Sequence, residues 1–290
     1  MGVRDLLSEG IICGDALTVL PRLPSDSIQL TVTSPPYYRQ KDYGVETQIG
    51  WEATPAEYID KIRSVLAQLL RITLDSGACF IVVGDKYVRG KLMLIPQRIA
   101  LAADDVGWNV RSHIVWQKKD PPPESVKNRW RASHESVLFL TKQRTKYKFN
   151  ADAIRQPYSA ATLARWGKGQ LYGGPKSEQR VNQDDTRIGH GKSFRLAADG
   201  CIPTDVWSVA SSQSKQMHYG TYPRELIEPA VAACSDEGDW LLDPFAGSGT
   251  SLLVGMDGAR NCVGIELNDE YANDAAIRLG VSVIPAPKCQ

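Results

Sequence analysis

Apolar residues recur along this chain with two different periods. From Pro55 to Leu74, Tyr58, Ile62, Val65, Leu69 and Ile72 follow at spacings of three and four, with Ile59, Leu66 and Leu70 beside them. That pattern is the buried face of an amphipathic helix. Thr54 suits its N-cap, Pro55 its first turn, and Ser76-Gly77 its end. Shorter apolar or alternating runs predict strands over residues 10–15, 28–33, 78–83, 108–116, 136–140, 240–242 and 262–266. Further helices are predicted over 96–106, closed by Gly107, over 224–234, from about Thr250, and over 268–279 behind an Asn268 cap. Strands and helices alternate, which predicts an α/β fold with a doubly wound sheet.

Two regions break the alternation. Residues 117–133 hold Pro121-Pro122-Pro123 among Lys118, Lys119, Lys127, Arg129 and Arg131, which predicts a basic loop. Residues 151–200 are rich in Gly, Gln, Asn, Arg and Lys and carry no sustained period. A stretch this long inside a compact domain is usually functional or disordered. Order is expected to return near residues 202–207. These features divide the chain into 1–150, an insert at 151–200, and 201–290.

Candidate chemistry gathers where strands stop. The run Ile28–Thr33 ends in Ser34-Pro35-Pro36-Tyr37. Two prolines remove backbone donors and fix φ, so the strand must end there in a stiff bend. In open α/β sheets ligands bind at the carboxyl ends of strands. The bend presents a hydroxyl, carbonyls and an aromatic face, a set suited to a flat ring bearing an amine. The alternative is a plain surface turn. Trp240–Leu242 runs into Asp243-Pro244-Phe245-Ala246-Gly247-Ser248-Gly249-Thr250, a glycine turn opening a helix. The next strand, Cys262–Glu266, ends in an acid. A glycine turn lets backbone approach a ligand, and an acid at the following strand end can bind ribose hydroxyls.

The segment Asp243 to Thr250 departs from the Gly-x-Gly-x-x-Gly fingerprint and resembles the S-adenosylmethionine loop of DNA amino-methyltransferases. With Thr33-Ser34-Pro35-Pro36-Tyr37 near the N-terminus, nearly the whole chain resembles the β-group of that family, in which the catalytic motif precedes the cofactor loop. The resemblance implies a Rossmann-like mixed sheet with helices on both faces and a target-recognition region in the insert. It implies a catalytic set of Ser34, Pro35, Pro36 and Tyr37, with Tyr37 stacking on the base. It places Asp15 near the adenine of S-adenosylmethionine, Asp243, Pro244, Phe245, Gly247, Gly249 and Thr250 around the cofactor, and Glu266 on its ribose. Asp15 also reads as a helix cap. His218 and Thr221, in a His-x-x-x-x-Pro segment, are expected either beside the cofactor or as a cap. Members of that family carrying Ser-Pro-Pro-Tyr usually methylate cytosine N4; those with Asp in place of Ser34 usually methylate adenine N6. Cytosine C5 chemistry needs a cysteine nucleophile, usually after proline, and the chain has no Pro-Cys dipeptide. The expected partners are double-stranded DNA and, indirectly, a cognate restriction endonuclease. Homodimers occur in the family, but no exposed stripe argues for one here. The readings kept beside cytosine N4 are an adenine-N6 enzyme, a non-catalytic nucleic-acid-binding protein of the same fold, and an RNA or small-molecule methyltransferase.

Composition sharpens this picture through distribution alone. The 290 residues carry a net charge of only +1. Residues 111–200, however, hold 18 Lys and Arg against 8 Asp and Glu, while the rest hold 16 against 25. A duplex-binding face needs such a patch to neutralise phosphates. In that role we expect Lys118, Lys119, Lys127, Arg129, Arg131, Arg165, Lys168 and Arg180. Gln170, Gln179, Asn182 and Arg187 share the chemistry that reads base edges. Six cysteines are scattered without a Cys-x-x-Cys pair, and four histidines share no metal-ligand spacing, so no metal is expected. The N-terminus lacks the apolar core of a signal peptide and no run of 18 apolar residues exists, which predicts a cytoplasmic protein.

Overall fold

The computed structural model describes residues 9–40, 42, 48–166, 200–211 and 222–286. The chain divides into two compact units, Met1–Asn150 with Asp205–Gln290, and Ala151–Thr204. In order the elements are β1 (Gly10–Cys13), α1 (Ala16–Val19), β2 (Ile28–Thr33), α2 (Pro55–Ile72), β3 (Thr73–Val83), β4 (Tyr87–Val88), β5 (Lys91–Leu92), α3 (Ile95–Val106), β6 (Asn109–Lys118), β7 (His134–Thr141), α4 (Ala160–Trp166), β8 (Val206–Val209), α5 (Arg224–Cys234), β9 (Trp240–Asp243), α6 (Thr250–Asp257), β10 (Asn261–Glu266), α7 (Asp269–Leu279) and β11 (Val283–Pro285).

The large unit is built on a nine-stranded sheet in the order β11-β1-β10-β9-β2-β3-β7-β6-β8. Neighbours are parallel except where β7 pairs antiparallel with β3 and β6. The carboxyl ends of all the other strands therefore meet the amino end of β7 on one edge. Alternation along the strands sends side chains to both faces. On one face Cys79, Ile81, Leu242, Val263 and Ile265 join the buried residues of α1, α2 and α3 in one core. On the other, α6 lies so close that a Cβ on Gly255 would meet Cys262 Sγ at 2.6 Å and Leu241 Cδ1 at 3.1 Å. The sheet is thus mixed, with helices on both faces, as the sequence predicts.

Helix α2 also positions the site. Thr54 Oγ1 accepts from Glu57 N, and Glu57 Oε2 accepts from Ala53 N, so its first turn is capped reciprocally. Its Tyr58 is fully buried and donates to the carbonyl of Pro36 at 3.0 Å, holding the bend after β2 from beneath. The helix does not run on to Ser76-Gly77, because β3 begins at Thr73. Thr73 pairs with Ile28 and Ala78 with Leu30, so residues 74–77 form an irregularity in that pairing. A Cβ at Gly77 would meet Thr73 Cγ2 at 2.5 Å and Gln29 O at 2.9 Å, which makes this glycine a close-approach position within the strand.

In the small unit, Gln156 and Cys201 exchange both backbone hydrogen bonds, at 2.8 and 2.9 Å, closing the base of the insert. Helix α4 lies within the stretch read as aperiodic.

Candidate functional site

Strands β2 and β9 are neighbours, so the two stretches singled out in the sequence emerge side by side. Thr33 Oγ1 donates to Asp243 Oδ1 at 2.6 Å in a buried contact. The same oxygen accepts from Phe245 N at 3.0 Å, which bends the chain through Pro244, and Ser251 Oγ on α6 donates to Oδ2. Despite these donors, burial pushes the Asp243 carboxyl up to about 6, with Glu266 adding to the rise. Tyr222 packs its hydroxyl against Asp243 and Ser251, and burial drives that phenol well above its ordinary value.

The turn that follows is left-handed at Gly247 (φ 51°) and at Gly249 (φ 75°), which caps α6. A Cβ on Gly249 would also meet Leu279 Cδ1 at 2.8 Å. Thr250 starts the helix and is buried. Glu266, at the end of the adjoining strand, accepts from Gly247 N at 2.8 Å and from Asn268 N at 2.9 Å. Glu266 thereby pins the glycine turn against β10. Asp15, one strand further along the same edge, caps α1 by accepting from Leu17 N at 2.9 Å. A turn bare of side chains at two glycines beside the Glu266 carboxylate fits a cofactor that carries ribose hydroxyls.

On the side of β9 away from β10, the bend after β2 is held from several directions. Tyr37 donates to Glu135 Oε2 at 2.8 Å. Glu135 Oε1 pairs with Lys118 Nζ, whose charge also lies 5.0 Å from the centroid of Trp116. Burial, followed by the nearby Glu135 carboxylate, raises the Tyr37 phenol well above its usual range, so it is a neutral donor. The Tyr37 ring lies over Gly84 at the end of β3, where a Cβ would meet its Cε2 at 2.8 Å. Tyr38, by contrast, is buried and packs on Tyr58 with centroids 5.6 Å apart.

The Ser34 hydroxyl, half-buried in that bend, can accept as well as donate. The Pro35 carbonyl receives no hydrogen bond from any described residue. Both groups lie in the bend that ends β2, the strand paired with β9.

The basic residues differ in their partners. Lys118 is bound into the Glu135 pair, and Arg129 forks onto Glu124 and stacks on Tyr87 at 3.8 Å. Lys119, Lys127 and Arg131 are exposed and form no ion pair with a described residue. Thr221, His218, Lys168, Gln170, Gln179, Arg180, Asn182 and Arg187 lie outside the described residues, as does the side chain of Arg165. Among the described residues no His, Cys, Asp and Glu group could hold a metal ion, and no helix is long and apolar enough to cross a membrane.

Sequence reasoning missed Glu135, Gly84 and Tyr222. Tyr222 was findable, since it sits directly before Pro223 in the segment already singled out. Glu135 was not, because its partner is 98 residues away.

The sequence model of the N6/N4 DNA methylases, described as DNA methylase, matches residues 28–277. The chain is 36% identical to the type II methyltransferase M.XycI of Xanthomonas campestris pv. cyanopsidis, covering 92% of this chain and 86% of that one. It is 33% identical, with the same coverage, to the type II methyltransferase M.Cfr9I of Citrobacter freundii. Among solved structures, the PvuII DNA methyltransferase (cytosine-N4-specific) superposes with a TM-score of 0.66 at 21% identity, covering 93% of this chain and 86% of that one. A putative DNA modification methylase from Thermus thermophilus, complexed with S-adenosyl-L-methionine, gives 0.62 at 23% identity, covering 97% and 99%.

Proposed function

We propose that this chain methylates cytosine at N4 in duplex DNA: it belongs to the N6/N4 family of DNA methylases, so it is an S-adenosylmethionine-dependent DNA methyltransferase, and its site is arranged to grip an amine. The observation that carries the finer reading is the bend after β2, in which the neutral Ser34 hydroxyl and the Pro35 carbonyl directly precede a Tyr37 held by Glu135. An exocyclic amine is a poor nucleophile because its lone pair is delocalised into the ring. Two acceptors placed at its two N–H groups draw that pair back onto nitrogen. S-adenosylmethionine, when bound, supplies the methyl group from its sulfonium for a direct displacement.

The remaining work falls to orientation and fixed dipoles. Asp243, the Gly247 and Gly249 turn, Phe245 and Glu266 would hold the cofactor. Tyr37, fixed by Glu135 and Gly84, would stack on a base that has left the duplex. Lys119, Lys127 and Arg131 would meet phosphates. The Cys13, Cys79, Cys234 and Cys262 thiols are all raised by burial, Cys13, Cys234 and Cys262 to about 12, which leaves them poor nucleophiles and agrees with attack by the amine itself. The PvuII neighbour, named as cytosine-N4-specific, supports the choice of base, and the type II relatives support a role in shielding DNA from a cognate restriction endonuclease.

The test is mass spectrometry of nucleosides from duplex DNA incubated with the protein and labelled S-adenosylmethionine. Label in N4-methylcytosine is the expected result. Label in N6-methyladenine would keep the site and overturn the base assignment. Absence of label in DNA, with cofactor bound, would overturn the activity.

A further inference from the structure

The loop between β6 and β7 carries Trp130, whose side chain is 94% exposed. A single exposed apolar residue is ordinary. What is not ordinary is how firmly its backbone is held. Glu124 accepts from both terminal nitrogens of Arg129 and from Ala132 N, which spans Trp130 from either side. Arg129 Nη1 also donates to the Trp130 carbonyl at 3.1 Å, and the guanidinium rests on the Tyr87 ring. The prolines Pro121-Pro122-Pro123 stiffen the approach to this clamp. The clamp fixes the chain on both sides of the indole and leaves the indole itself in water.

Position and charge say what it meets. Trp130 lies five residues before Glu135, which touches the Tyr37 hydroxyl at 2.8 Å. Five extended residues span at most about 18 Å, so the indole lies within that reach of Glu135, on the edge of the sheet where β6 ends and β7 begins. Arg131 follows it directly, and Lys119 and Lys127 belong to the same loop; all three are exposed. A rigidly held aromatic ring among free cations suits an object with a charged backbone and stacked apolar rings within.

We propose that Trp130 enters the base stack of the duplex at the target site and stacks where the departing base had been. The inference rests on the reading of the chain as an enzyme acting on a base rotated out of duplex DNA, and it holds for cytosine or adenine alike. A base that leaves the helix forfeits its stacking on both neighbours, and an inserted ring restores part of it. Base–aromatic stacking is sequence-tolerant, which suits a residue that assists extrusion without reading the site.

The experiment compares wild type, Trp130→Ala and Trp130→Phe in single-turnover methylation. The substrates are a duplex bearing the mapped target sequence and the same duplex with the target base mispaired, which weakens its hold on the helix. Trp130→Ala is expected to slow transfer on the paired duplex by roughly 10- to 100-fold, the range of one base–aromatic stack. On the mispaired duplex it should stay near wild type, and Trp130→Phe should recover most of the paired rate. Equal slowing on both duplexes, or no slowing on the paired one, would overturn the proposal. A second readout separates this inference from the enzymatic reading: the tryptophan emission lost between wild type and Trp130→Phe should be quenched by duplex DNA even without methyl transfer. An unquenched difference would show that the indole does not meet bases.

Discussion

Gly84→Ala tests whether the placement of the Tyr37 ring governs the rate. Gly84 does not occupy the left-handed region, so alanine brings no backbone strain of its own. Its Cβ would stand 2.8 Å from Tyr37 Cε2 and 3.2 Å from Cδ2. Ordinary carbon contacts begin near 3.4 Å, so the ring must shift by about 0.6 Å. It cannot yield freely, because its hydroxyl is tied to Glu135 at 2.8 Å and Glu135 to Lys118. A misplacement of about 1 Å can cost on the order of 100-fold in rate, so a decrease in kcat of roughly 10- to 50-fold is expected here. Overpacking should cost about 1–3 kcal/mol, less about 0.4–1 kcal/mol recovered from a stiffer unfolded chain. The protein should therefore stay folded, with a Tm lowered by a few degrees. The assay is single-turnover methyl transfer, with cofactor affinity measured by calorimetry, in wild type, Gly84→Ala, Tyr37→Ala and the double variant. If the clash acts through Tyr37, Gly84→Ala should add little once the ring is gone, and cofactor affinity should hold throughout. Additive losses in the double variant, or an unchanged kcat in the single one, would refute the argument.

Three further outcomes follow from the same geometry. Ser34→Ala removes an acceptor at the amine and should lower kcat by about 100-fold, the scale of one placed hydrogen-bonding group in a transition state, while titration calorimetry shows unchanged cofactor binding; normal turnover would displace Ser34 from the site. Glu266→Gln sets an amide N–H against the N–H of Gly247 or Asn268 and should weaken S-adenosylmethionine binding by roughly 10-fold or more, about the cost of one buried unmatched donor, with duplex affinity by fluorescence anisotropy unaltered. Asp243 is raised to about 6 in the folded state, so folding takes up a proton between the unfolded carboxyl's ordinary range near 4 and that value. Its contribution to stability is fully favourable below the lower limit and lost as pH rises through about 6, by up to roughly 3 kcal/mol. The Tm of wild type minus that of Asp243→Asn should therefore fall as pH increases from 4 to 7, and a flat or rising difference would show that the carboxyl is not held this way.

Much of the site was readable because its parts announce themselves locally. Prolines must end β2, glycines must turn the chain after β9, and Glu266 must stand where β10 stops. Periodicity gave α2 its buried face, since nothing competes with a pattern sustained over 18 residues. Its end was misread because Ser76-Gly77 has turn chemistry, whereas the observed role of Gly77 is a close approach of backbone within β3. The two-residue strands β4 and β5, and β11 at the sheet's edge, are too short to carry a period. The pairing of cations lay beyond composition: Lys118 meets Glu135 only because β7 runs antiparallel and delivers its first residues to the site. For Arg129 the signal was nearer, as Glu124 lies five residues before it.

The buried contact between Thr33 and Asp243 accounts for a feature that the order of the motifs leaves open. The two sit 210 residues apart, yet β2 and β9 pair at only Leu30 with Leu241 and Thr31 with Leu242. So short a ladder sets register weakly, and a slip by one residue would turn Thr33 to the opposite face. The 2.6 Å bond to Asp243 opposes that slip, and the same carboxylate shapes the glycine turn through Phe245 and Ser251. One side chain thus ties the acceptors after β2 to the turn after β9. Its raised pKa is the cost of keeping that carboxylate dry. A group removed from water in this way persists where its placement matters more than its stability. The proposed transfer between a base at the bend after β2 and a cofactor at the turn after β9 is such a place, because a mismatch of a fraction of an ångström between them would reach the reacting atoms directly.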